Sequence, residues 1–110
     1  MAETRNWNLP ALTDAQVGTF CNHILSSAAS MQLAGQAQIT VNDVTITHLV
    51  FEQYFMRNSS YACLSVELVR TAQQTSLSAI SAGGSQGLLN FDWGSADNML
   101  NKVEQALQSL

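Results

Sequence analysis

Three consecutive stretches, residues 49–56, 61–70 and 75–81, can lie side by side as one antiparallel sheet. That compatibility constrains the fold more than any other feature of the chain. Folding the first two about Asn58-Ser59 sets Phe55 opposite Ala62, Phe51 opposite Val66 and Leu49 opposite Leu68. Folding the second and third about Ala72-Gln73 sets Leu68 opposite Leu77 and Val66 opposite Ala79. Successive strand side chains point to opposite faces, so both hairpins gather their apolar residues on the same side.

The remaining segments fit around that sheet. Residues 1–12 read as an N-terminal arm in which Trp7, Leu9 and Leu12 pack on the body and Pro10 interrupts regular structure. Thr13-Asp14-Ala15-Gln16 is a capping box, so a helix starts there. Val17, Phe20, Cys21, Ile24, Leu25 and Ala28 recur at helical spacing as one apolar stripe. Gly35 is the expected stop, with an earlier end in 26–30 open because that stretch is weakly amphipathic. Residues 38–41 and 44–46 form a hairpin about Asn42-Asp43, with Ile39 opposite Ile46 and Val41 opposite Val44. The apolar phase is even at Val44 and Ile46 and odd at Leu49 and Phe51, which predicts a bulge near Thr47-His48. Residues 82–87 make a turn-rich loop, 88–93 a short extra strand or packing segment, and Gly94 punctuates it. Ser95 caps a last helix, with Asp97 in its first turn and a stripe of Met99, Leu100, Val103, Ala106, Leu107 and Leu110.

Charge excludes several functions. The chain of 110 residues has a net charge of −4 and only four basic residues, Arg5, Arg57, Arg70 and Lys102, scattered along it. Nucleic acid and anionic membranes both require clustered cations, so neither partner is expected. No apolar run reaches the ~20 residues of a membrane span, and the N-terminus has no signal-peptide core. A cytoplasmic location follows as the expectation, with Cys21 and Cys63 reduced. Charged residues make up 11% of the chain, against ~25% in typical domains. So few charges leave little to oppose self-association, and a homodimer is expected.

The sheet face turned away from the helices holds the residues with chemical capacity. By the pairing above it carries His48, Val50, Glu52, Tyr54 and Met56, then Tyr61, Cys63, Ser65, Glu67 and Val69, then Ser76, Ser78 and Ile80. Tyr54 then lies opposite Cys63, Glu52 opposite Ser65 and Val50 opposite Glu67. A solvated face, a dimer interface and a ligand surface are the three readings of such a mixed lining. A Cys63–His48–Glu67 nucleophilic site fails because His48 pairs with Val69, about six residues from Cys63 along the strand. Glu52 and Glu67 sit diagonally, but two exposed glutamates are ordinary. His23 borders the helix stripe. Gly83, Gly84 and Gly87 permit close backbone approach, yet no lysine follows and the loop opens no helix, so a phosphate loop is not indicated. Cys21 and Cys63 make no metal pattern, and no metal or cofactor is expected. Asn58-Ser59-Ser60 matches a glycosylation sequon but reads as a polar turn.

Residues 51–57, Phe-Glu-Gln-Tyr-Phe-Met-Arg, with Leu64-Ser65-Val66-Glu67-Leu68, Ala79-Ile80-Ser81-Ala82-Gly83-Gly84-Ser85 and Phe91-Asp92-Trp93-Gly94, resemble an uncharacterised family of small bacterial proteins. The family is mostly from Firmicutes and is classed as a domain of unknown function. The resemblance covers about residues 13–110. It implies a stand-alone cytoplasmic domain and supplies no catalytic residues.

The sequence therefore predicts an arm (1–12) and a single α+β domain (13–110). The domain is a four- to five-stranded antiparallel sheet with two helices packed on one face, in the order α-β-β-β-β-α. Its expected function is non-catalytic binding with self-association. The alternative is a small-ligand-binding protein or small enzyme using a cleft near loop 83–87. Glu52, Tyr54, Arg57, Ser81, Gly83, Gly84, Ser85 and Asp92 are the candidate ligand-binding residues.

Overall fold

The computed structural model describes residues 2–56, 59–83 and 95–110, the side chains of 95–97 excepted. In chain order the elements are β1 (Ala2–Pro10), α1 (Asp14–Leu25), β2 (Met31–Val41), β3 (Val44–Phe55), β4 (Ser60–Arg70), β5 (Gln74–Ala82) and α2 (Ser95–Gln108). The strands form one antiparallel sheet ordered β1-β5-β4-β3-β2. The chain starts at one edge, crosses to the other through α1, meanders back and ends with α2. Helix α1 packs on β2 and against α2, and α2 packs on β5, β1 and β4. The element order is thus β-α-β-β-β-β-α.

Local chemistry explains most boundaries. Thr13 Oγ1 accepts from the Gln16 N–H at 3.1 Å, and Gln16 Oε1 accepts from the Thr13 N–H at 2.9 Å, so the capping box forms as the sequence predicts. Helix α1 ends at Leu25, earlier than Gly35. The Ser26 and Ser27 hydroxyls donate to the carbonyls of Asn22 and Ile24 at 2.9 and 2.6 Å, taking over acceptors that the next turn would have used. Gly35 lies instead within β2. Asn42, with φ of 55°, supplies the left-handed residue of the two-residue β2–β3 turn. In the β4–β5 turn Thr71 Oγ1 accepts from the N–H groups of Gln73 and Gln74 at 3.2 and 3.1 Å.

Three expectations are corrected. Residues 2–10 of the expected arm are strand β1, paired with β5 from Ala2 opposite Ala82 to Pro10 opposite Gln74. Proline is tolerated there because it closes an edge strand. The β3–β4 register is displaced by two: Leu49 faces Val66, Phe51 faces Leu64 and Gln53 faces Ala62, across a four-residue loop rather than a two-residue turn. A shift of two preserves which face each side chain occupies. The bulge falls not at Thr47-His48 but between Leu33 and Gly35 of β2. Strand β3 is paired on both sides, so a bulge there would disturb two ladders, whereas one in edge strand β2 disturbs one. Val44 and Ile46 consequently stay on the outer face. The expected strand 88–93, the Arg57-Asn58 part of the turn, and the Ser95 and Asp97 side chains lie outside the described residues.

The core sits between the sheet and the helices. Leu49, Phe51, Leu64, Val66, Leu68, Leu77 and Ala79 from the strands meet Phe20, Ile24, Met99, Leu100, Val103 and Ala106 from the helices, all buried. Trp7, Leu9 and Leu12 pack on its margin. Arg5 ties β1 to α2 through Glu104 at 3.0 Å and Asn101 at 3.2 Å, and its guanidinium lies 6.0 Å from the Trp7 ring.

Candidate functional site

With both helices on one side, the described residues leave the outer face of the sheet open. The observed pairing arranges it in cross-strand rows. One row runs Ile39, Ile46, Val69, Ser76, Asn8. The next runs Ala37, His48, Glu67, Ser78, Asn6, and the third Gly35, Val50, Ser65, Ile80, Thr4. Glu52 lies opposite Cys63, and Tyr54 opposite Tyr61 with ring centroids 5.0 Å apart. The β2–β3 end is apolar and open: Ile39 and Val41 are 59% and 56% exposed. Tyr61 and Ile80 are also exposed, at 51% and 46%. The β1–β5 end is polar, with Ser78 Oγ donating to Asn6 Oδ1 at 2.8 Å.

The corrected register changes the neighbours of His48. Its Nε2 lies 2.8 Å from Ser65 Oγ, and Glu67 is its cross-strand partner. A serine, a histidine and a carboxylate therefore share one patch, which the displaced sequence register had separated. The backbone groups of these strand residues take part in the sheet ladder. Cys63 sits four residues from His48 in register terms, ~13 Å along the strands. Burial, and then the Glu52 carboxylate, push its thiol above the ordinary value of 9.0. Burial alone does the same to Cys21. Neither is an activated thiolate.

Of the residues singled out in the sequence, Glu52 and Tyr54 share the outer face, and Gln32 Nε2 donates to Glu52 Oε1 at 3.5 Å. Ser81 is fully buried on the opposite, helix-facing side, its Oγ without a partner among the described residues. Gly83 follows the end of β5, half-buried. Arg57, Gly84, Ser85 and Asp92 lie outside the described residues. Among the described residues no three His, Cys, Asp or Glu side chains gather to hold a metal ion, and no helix is long and apolar enough to cross a membrane.

A second feature, absent from the sequence reading, is a cleft of about 320 Å³ on the helix side. It lies between α1 and the β2–β3–β4 surface and is lined by Asp14, Val17, Gly18, Cys21, Asn22, Gln36, Gln38, Thr47, Leu49 and Arg70. Arg70 continues the inward alternation of Leu64, Val66 and Leu68, which is the signal that could have found it. Its side chain is 9% exposed, and Nη2 meets Asp14 Oδ1 at 2.9 Å. Its Nη1 donates to the Leu12 carbonyl at 3.3 Å, and its Nε has no acceptor among the described residues.

The architecture defines a class: an α+β domain with an open antiparallel sheet face opposite two helices. The chain belongs to a family of unknown function (DUF6054), whose model matches residues 1–110. It has no match among curated proteins. Among solved structures it is similar to ginseng major latex-like protein 151 from Panax ginseng. The identity is 10% and the TM-score 0.40, covering 98% of this chain and 96% of that one.

Proposed function

We propose that this protein is a non-catalytic binding domain that pairs with a second copy of itself across the open sheet face. The observation that carries this reading is the apolar end of that face, where Ile39, Val41, Val44, Ile46 and Val69 adjoin without a covering helix among the described residues. An isologous pairing brings such a patch against its own copy, and sparse charge makes it self-compatible. Five strands ~4.8 Å apart and ~30 Å long present roughly 700 Å², near the ~800 Å² per partner of a stable interface. His48, Glu52 and Glu67 then sit in the polar part of the contact. A bacterial, cytoplasmic setting is part of the proposal and is carried over from the sequence analysis.

Size-exclusion chromatography with light scattering tests it. The expected mass is twice that of the chain, falling to a single chain in Ile39→Lys and in Tyr61→Lys. A single-chain mass for the unaltered protein at high concentration, or a dimer indifferent to Ile39→Lys, overturns it.

A further inference from the structure

We infer that the cleft beside α1 binds a small organic acid, its carboxylate facing Arg70 and its apolar body lying along Val17 and Cys21. The starting point is an electrostatic mismatch. The Arg70 side chain is 9% exposed, while the Asp14 side chain that pairs with it is 93% exposed. A carboxylate so fully hydrated compensates a buried guanidinium poorly and leaves it at little cost. Arg70 Nε lacks an acceptor among the described residues but is itself buried, so the donors a cleft ligand would meet are the second N–H of each Nη, beyond its one contact. Buried cations of this kind are completed by an acceptor, and the planar guanidinium fork matches a carboxylate.

The cleft around Arg70 has the size and lining for such an occupant. Its volume of about 320 Å³ is at the lower end of small-molecule sites. The Thr47 hydroxyl donates to Gln38 Oε1 at 2.9 Å, which turns the Gln38 amide so that its NH₂ remains to donate. Gly18 stands at the lip, in mid-helix, where glycine weakens the helix. A Cβ built on it would meet nothing within 4 Å, so packing does not demand the glycine; it keeps the cleft wide. One charged end, one amide donor and an apolar strip fit a short-chain carboxylate better than inorganic phosphate, which brings more negative charge beside Asp14 and has no body to fill the strip.

The test is an NMR titration that follows the Arg70 Nε–Hε signal and the Gly18 and Cys21 amides. Hexanoate is expected to shift them saturably with a millimolar Kd, while hexanol and inorganic phosphate bind at least roughly tenfold more weakly. Gly18→Leu, which places an apolar side chain at the cleft, is expected to keep the amide dispersion of a folded chain and to lose hexanoate binding at least roughly tenfold. No saturable shift with hexanoate overturns the inference. So does phosphate binding as tightly as hexanoate, or a folded Gly18→Leu that binds like the unaltered protein. The oligomer mass is read separately, so this inference and the proposed self-association stand or fall independently.

Discussion

Arg70 and Asp14 form an ion pair whose two charges live in different surroundings, one shielded by the sheet and one in water. Replacing such an arginine with an apolar side chain removes a desolvated charge without stranding a buried partner. Arg70→Met is therefore expected to change stability by no more than ~1 kcal/mol in urea denaturation, whereas Leu68→Ala in the adjacent core costs ~2–5 kcal/mol. A loss in Arg70→Met equal to that of the core truncation would make the guanidinium structural glue. Cys63 gives a pH prediction. Its pKa in the folded chain is raised by burial and by Glu52, so the folded state holds the thiol proton more tightly than the unfolded state. The stabilisation is complete below the unfolded value near 9.0 and is lost as pH rises through the folded value. Melting temperature is thus expected to fall more steeply above pH ~9 in the unaltered protein than in Cys63→Ser; parallel curves contradict this.

Segments were legible where their determinants are local. The Thr13–Gln16 box and the Asn42-Asp43 turn are written within four residues, and both form as read. Asn42 at φ 55° gives a direct check: Asn42→Gly is expected to be nearly neutral, while Asn42→Val costs ~1–3 kcal/mol because a β-branched residue is strained there. Calorimetry of the two variants separates these outcomes. The β3–β4 register was not legible, because a slip of two leaves every apolar side chain on its face. Loop length and the Tyr54–Tyr61 pairing decide it, and neither shows in the alternation. Strand β1 does carry a pattern, with Arg5, Trp7 and Leu9 turned inward and Thr4, Asn6 and Asn8 outward. Pro10 masked it, since a proline closing an edge strand looks the same in sequence as one that forbids a strand. The Arg70 cleft went unread for another reason: a tertiary hollow depends on how α1 sits over β2, and no spacing encodes that.

Across the molecule the two faces of one sheet divide the work. The helix-covered face holds the core and the Arg70 cleft. The open face keeps Ile39, Val41 and Ile46 in view, because a continuous β3 with its bulge displaced into β2 places them outward. The edges differ as well. Strand β1 carries Glu3, Arg5 and Pro10, residues that discourage edge pairing, whereas β2 has no charge and no proline over its eleven residues. The contact between copies is accordingly expected to centre on the β2–β3 end of the open face, with β1 at its rim. Isotope-filtered NMR on a mixture of differently labelled copies measures this most directly. Intermolecular NOEs are expected from the methyl groups of Ile39, Ile46 and Val69, and none from Leu64 or Leu77. Contacts between copies through the helix face, or no contacts under conditions where light scattering shows a dimer, would contradict the assignment of the open face as the binding surface.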